Sequence, residues 1–261
     1  DLSVSRFDIE RSRPVSFPKR GRDVKYDTYP HGPGADKLGT TLSLAGFAVH
    51  AGTLYIASRW REAVIRVDAA TGKEQGEIPL PGPGPLAVHE DELLAVSKGA
   101  VVSRPLEGDK AAGWRARIPA APGRAIRGLA CDARGRIFLA DAKTHTVRVF
   151  SPDGAPTDVF GREPGGLYAG PFVPERMIRP CGIAVFQNRL WVTQETTTPK
   201  RIAAWDLAPK RVAVQLFGNP PYGGPGAGFD PQDKTRWIGQ EALWRLDFEN
   251  ETATCTHVPK T

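Results

Sequence analysis

Residues 127–160 read R-G-L-A-C-D-A-R-G-R-I-F-L-A-D-A-K-T-H-T-V-R-V-F-S-P-D-G-A-P-T-D-V-F. The stretch holds Gly128-Leu129-Ala130-Cys131, a polar turn, Ile137-Phe138-Leu139-Ala140, a polar loop, Arg148-Val149-Phe150, the turn Asp153-Gly154 and a closing run that ends at Phe160. Runs this short, bounded by Gly, Pro and Asp, are strands rather than helices. Asp-Gly is a hairpin former because Gly accepts positive φ. The stretch therefore predicts four antiparallel strands in chain order.

The same template recurs on both sides. It appears as Gly46-Phe47-Ala48-Val49 with Leu54-Tyr55-Ile56-Ala57, as Pro85-Leu86-Ala87-Val88 with Leu93-Leu94-Ala95-Val96, and as Gly182-Ile183-Ala184-Val185 with Leu190-Trp191-Val192-Thr193. The starts at 46, 85, 128 and 182 lie 39, 43 and 54 residues apart. A fixed supersecondary unit at such a period means a repeat architecture in which each unit buries its apolar faces against its neighbours. Ala48, Ala87, Ala130 and Ala184 fall at the same place, as expected where units converge and side chains must be small. Third strands follow the form of Arg66-Val67-Asp68, Arg148-Val149-Phe150 and Ala204-Trp205-Asp206.

On these residues the 127–160 stretch resembles an NHL repeat, and the other three are similar but weaker. The resemblance implies an all-β fold, a β-propeller of four-stranded antiparallel blades, six-bladed when complete and of the TolB-like architecture. The order of segments is also similar to NHL-repeat regions of large secreted bacterial proteins, which implies an extracytoplasmic setting. The whole of 1–261 is expected to form one module with four full repeats over about 44–217. Outer-strand hairpins are expected at about 3–17 and 243–258, from Arg6-Phe7-Asp8 and Arg245-Leu246-Asp247. A chain that starts and stops in mid-blade implies a closing partner, either the rest of a longer polypeptide or a second chain, because open strand edges invite aggregation. The start at Asp1 rather than Met fits an excised or processed product.

Composition agrees with a strand-and-turn protein. Gly (28) and Pro (24) make up about a fifth of the 261 residues and are spread among apolar runs. The net charge of +6 is a mild excess that favours anionic partners by steering. No run of 18 apolar residues occurs, so no membrane-spanning helix is predicted. Cys131, Cys181 and Cys255 form no C-x-x-C pair and read as small apolar residues.

Two long inserts are copies of each other at an offset of 57 residues. Phe160, Gly161, Pro164, Gly166, Phe172, Pro174, Arg179 and Gly182 correspond to Phe217, Gly218, Pro221, Gly223, Phe229, Pro231, Arg236 and Gly239. In a propeller, both should rise beside each other on the face that carries the loops between second and third strands. Long loops on a rigid scaffold are common binding sites. The expected site gathers Arg59, Trp60 and Arg61 with Arg127, Asp141, Lys143, His145, Tyr168, Arg179, Glu195, Tyr222 and Arg236. Cations and aromatics in this mixture suit a glycan, peptide or protein partner through Arg hydrogen bonds and stacking. The bland reading is that Phe172 and Phe229 fill gaps and the arginines bind loop carbonyls.

No catalytic set is expected and no cofactor is implied. A metal-dependent hydrolase or lyase, with Ca or Zn near Asp141 and Glu195, is the alternative; it would need converging His or carboxylate ligands, and His50 and His89 stand at equivalent turn positions instead. RNA binding on the basic face, with Trp60 and Tyr168 as stacking groups, is the second alternative; the modest charge excess argues against nucleic acid.

Overall fold

The computed structural model describes residues 3–17, 23–25, 44–106, 113–162, 165–166, 169–194, 200–218, 228–239 and 242–258. Among them every regular element is a strand. The chain divides into two compact units, Asp1–Pro122 and Gly123–Thr261.

In the first unit β1 (Ser3–Asp8), β2 (Arg13–Val15) and β3 (Asp23–Lys25) form a three-stranded sheet in the order β2-β1-β3. Then come β4 (Leu44–His50), β5 (Thr53–Ser58), β6 (Ala63–Asp68) and β7 (Glu74–Pro79), paired antiparallel in chain order. A second four-stranded sheet repeats the plan with β8 (Pro83–His89), β9 (Glu92–Ser97), β10 (Ala100–Pro105) and β11 (Arg115–Ile118). Leu54, Tyr55, Ile56 and Ala57 are consecutive and all buried, because both faces of β5 are covered. Tyr55, Ala57 and Val64 pack toward Leu86, Leu93 and Ala95, while Leu54, Ile56, Ile65 and Val67 pack toward Phe17.

The second unit opens with β12 (Ile126–Cys131), β13 (Ile137–Asp141), β14 (Thr146–Phe150) and β15 (Pro156–Phe160), the sheet expected from the opening stretch. After the two-residue β16 (Gly170–Pro171) follow β17 (Pro180–Phe186), β18 (Arg189–Gln194), β19 (Lys200–Leu207) and β20 (Lys210–Gly218), again four strands in order. Phe138, Val147 and Val149 pack against Leu190, Val192 and Trp205 between these sheets. The last four strands are β21 (Gly228–Phe229), β22 (Arg236–Gly239), β23 (Ala242–Asp247) and β24 (Thr252–Val258).

The inner strands approach most closely at glycine rather than at alanine. A Cβ on Gly46 would lie 2.7 Å from Pro85 Cα, and one on Gly128 would lie 2.0 Å from the Cys181 carbonyl oxygen. Ala87 and Ala130 are buried as expected, but Ala184 is exposed. The repeat's first residue, not its alanine, sets how near adjacent strands can come.

The final sheet departs from the sequence reading. Its order is β16-β24-β23-β22-β21, so the predicted outer hairpin gains a strand on one edge and two on the other. β16 belongs to the first insert and β21 and β22 to the second, so the two copies sit at opposite edges of one sheet instead of side by side. The reason is local. After the first copy the chain continues into the seven-residue β17, whereas Arg236–Gly239 is followed almost at once by β23. The second copy must itself pair with β23. Phe172 is enclosed beside Phe217, at 5.8 Å between ring centroids, whereas its counterpart Phe229 is 50% exposed.

Candidate functional site

Within the second unit, four of the expected residues come together: Asp141, Lys143, His145 and Arg179. Asp141 ends β13 and is 1% exposed. Its Oδ1 accepts the backbone N–H of Ala125 (3.0 Å), Lys143 (3.0 Å) and Thr144 (3.5 Å). Its Oδ2 lies 3.9 Å from Arg148 Nε. The carboxylate thus ties the strand end to the chain entering β12. Residues at the same repeat position do related work: Ser58 Oγ accepts from Arg61 N at 3.1 Å, Ser97 Oγ donates to the Pro81 carbonyl at 2.6 Å, and Gln194 Oε1 accepts from Ile178 N. The last residue of each second strand is a loop anchor, a signal present in the sequence as a polar residue after an apolar run.

His145 holds the first insert. Its Nδ1 accepts the Arg179 N–H at 2.9 Å, which leaves the neutral ring's proton on Nε2. The ring lies against two glycines: a Cβ on Gly165 would fall 2.4 Å from His145 Cβ, and one on Gly166 3.0 Å from Nε2. These glycines, absent from the expected site, are the residues the sequence reading missed there. Both His145 (φ 60°) and Arg179 (φ 45°) adopt left-handed backbone. Such strain in non-glycine residues persists only where the surroundings fix it, and it concentrates at functional sites.

Burial, then Arg179, then Lys143 push the His145 pKa below the ordinary histidine value, and Asp141 opposes them. A lowered folded-state pKa means that the unfolded chain binds the proton first as pH falls. Stability from this contact is therefore complete above the unfolded value of about 6.5 and is lost as acid is added below it. Thermal melts at pH 7.5 and pH 5 should show a drop that is smaller in His145→Gln; an equal drop in both proteins would assign the effect to other groups.

Arg127 lies at the same end of β12, where the register Ile126↔Asp141 shifts before Gly128↔Ala140. A bulge there re-aims the side chain, and Arg127 is exposed. Arg127, Lys143 and Arg179 thus put three exposed cations on one rim. Arg236 is placed differently: it forms an ion pair with Asp230 at 3.1 Å, a position that is Val173 in the first copy. In the first unit, Arg61 pairs with Glu74 and Glu77 at 3.1 Å each, Arg59 Nε donates to the Pro83 carbonyl at 3.3 Å, and Trp60 is 44% exposed. Tyr168, Glu195 and Tyr222 lie outside the described residues.

Among the described residues no group of three or more His, Cys, Asp or Glu is placed to hold a metal ion. His50 Nε2 lies 3.0 Å from Asp91 Oδ1, a hydrogen-bond contact rather than part of a metal site. None of the three cysteines forms a disulfide, and burial pushes the Cys255 thiol up to about 11.

No family model matches the chain, and no curated protein matches it. Solved structures do. Hydrazine synthase of Kuenenia stuttgartiensis superposes with a TM-score of 0.51 at 13% identity over 82% of this chain, which spans 61% of that chain's length. A structure of a streptogramin B lyase matches at 0.50 and 12% identity, over 84% of this chain and 70% of that one. A structure of the nidogen/laminin complex matches at 0.50 and 13% identity, over 83% and 90%. The sheets and these neighbours together define the fold as a β-propeller. At such identities the likeness carries the fold alone. Among the described residues no helix is long and apolar enough to cross a membrane.

Proposed function

We propose that the chain is a non-catalytic recognition or scaffolding propeller of the NHL type that works outside the cytoplasm. It binds an acidic glycan, peptide or protein surface on the rim formed by Arg127, Lys143 and Arg179. The observation that carries this reading is that two exposed cations, Arg179 and Lys143, act on the loop-holding His145, with exposed Arg127 at the same end of β12. Arg side chains recognise carboxylate and sulfate groups through paired N–H donors. Asp141 Oδ1 is engaged by backbone N–H groups and the carboxylate is buried away from solvent, which favours binding over acid–base chemistry at this rim.

Glycan and peptide arrays with the intact chain test the proposal. Arg127→Gln with Arg179→Asn should reduce binding of acidic array members about tenfold, the equivalent of one charge-assisted contact. The Asn is chosen because it tolerates the left-handed backbone at 179. Unchanged array signals with an intact melt would place the binding face elsewhere. Elemental analysis of the purified protein tests the hydrolase or lyase alternative: stoichiometric Ca or Zn would favour it.

A further inference from the structure

We infer that the free edge of β20 is a dimerisation surface, on which a second copy of this chain pairs antiparallel about Gln215. Among the described residues β20 pairs with β19 alone, so one row of its backbone N–H and C=O groups faces outward. Such a row is a template for another strand. Outer strands elsewhere in the chain are blunted against this, and β20 is not. β7 carries two glutamates, Gly76 at φ 119° and a terminal Pro79. β11 has only four residues, two of them arginine, and β15 opens on Pro156 and holds Asp158. β20 runs for nine residues, K-R-V-A-V-Q-L-F-G, with both charges at its start.

Those two charges are engaged within the unit, Lys210 with Asp158 at 2.6 Å and Arg211 with Asp206 at 2.8 Å. A bulge at Ala213 follows, and Val214 to Gly218 then keep unbroken register with β19. This stretch is complementary to itself. With Gln215 opposite its own copy, Val214 of each chain faces Leu216 of the other, and Ala213 faces Phe217. Leu216 pairs with Ile202 across β19 and is 54% exposed, so the contact takes apolar surface out of water. The antiparallel arrangement leaves the two Arg211 residues roughly 25 Å apart at the strand rise, too far to repel strongly.

The same register answers a polar group. Gln215 Oε1 is buried and has no hydrogen-bond partner among the described residues. Residues directly opposite each other lie about 4.5–5.5 Å apart at Cβ, which lets the amide N–H of one Gln215 donate to Oε1 of the other. A slip by one residue would set Gln215 against Leu216 and mix the two faces of the sheet. The edge uses none of the rim residues and stands apart from the reading above.

A short strand pair covers less than the roughly 20–30 residues a side of a stable interface, so the dimer should be weak, with a Kd of about 10–100 µM. Sedimentation velocity on the intact chain from about 1 to about 300 µM should show monomer giving way to dimer. Leu216→Lys and Val214→Glu should each weaken association about tenfold, and mixing the two variants should restore it, because this register sets the two changed positions opposite each other. A chain that stays monomeric throughout leaves the edge to a strand of another protein and overturns the proposal. Variants that associate like the parent overturn it too, as does a mixture that stays apart. If either variant fails to fold, amide hydrogen exchange of the unaltered protein decides. Protection across Val214, Gln215 and Leu216 should then rise several-fold over the same concentrations, and protection that ignores concentration rules the pairing out.

Discussion

Gly128→Ala should lower Tm by roughly 6 °C, the equivalent of about 3 kcal/mol of overpacking in a chain of this size. The added methyl would lie 2.0 Å from the Cys181 carbonyl oxygen, 3.0 Å from Ile183 Cγ1 and 3.2 Å from Ala140 Cβ. Two of these atoms are side-chain carbons, but the nearest is backbone of the neighbouring inner strand. Relief therefore requires β12 and β17 to separate, which opens the cluster of Phe138, Leu190 and Trp205. The cost is steric, because Gly128 does not use left-handed backbone. Gly113→Ala is the control: nothing lies within 4 Å of a Cβ there, and its melt should match the parent or rise slightly. A Gly128→Ala melt equal to that of the control would mean that the inner strands are not packed this closely.

Arg201→Met should release the first insert. The guanidinium is buried, donating from Nη2 to the Pro174 carbonyl at 2.6 Å and from Nη1 to the Arg176 carbonyl at 3.0 Å. It also lies over the rings of Phe172 and Trp205, at 5.3 and 5.5 Å from their centroids. Met preserves much of the stem volume but strands two carbonyls, at a cost of about 2–3 kcal/mol. Limited proteolysis should then cut within 160–180 at least about tenfold faster, as local opening rises by that free energy. Arg201→Lys should rescue only part of the effect, because an ammonium cannot span both carbonyls in one plane while stacking on two rings. The Cys255 thiol, which the Arg201 charge pulls down from a higher value set by burial, should become harder to ionise in the Met variant. Unchanged cleavage would show that the insert is held by His145 and the β16–β24 pairing alone.

The strand plan was legible because it is written in local signals. Apolar runs of four residues, Asp153-Gly154 and the third-strand Arg-Val pattern recur at repeat spacing, and the four-stranded sheets follow them. The candidate site was legible only in part. That Asp141, Lys143 and His145 share a rim with Arg179 follows from the strand plan, since Asp141 ends β13 and the other three lie in loops on the same side of the sheets. That Asp141 anchors the chain entering β12, and that Gly165 and Gly166 clasp His145, depends on contacts between segments 16 to 21 residues apart. The duplicated insert shows the limit most clearly. Eight matched positions do not determine how each copy pairs, because pairing depends on the strand that follows.

By itself the sequence determined the all-β class, the four-strand unit and its repetition, since these rest on turn chemistry and short apolar runs that each segment carries within itself. Only the tertiary structure decided that glycine rather than alanine governs the approach of inner strands, that Phe172 is enclosed while Phe229 is exposed, and that the two inserts take opposite edges of one sheet. Those outcomes depend on which backbone lies within a few ångströms of which side chain, and a repeat pattern is the same whichever neighbour is there.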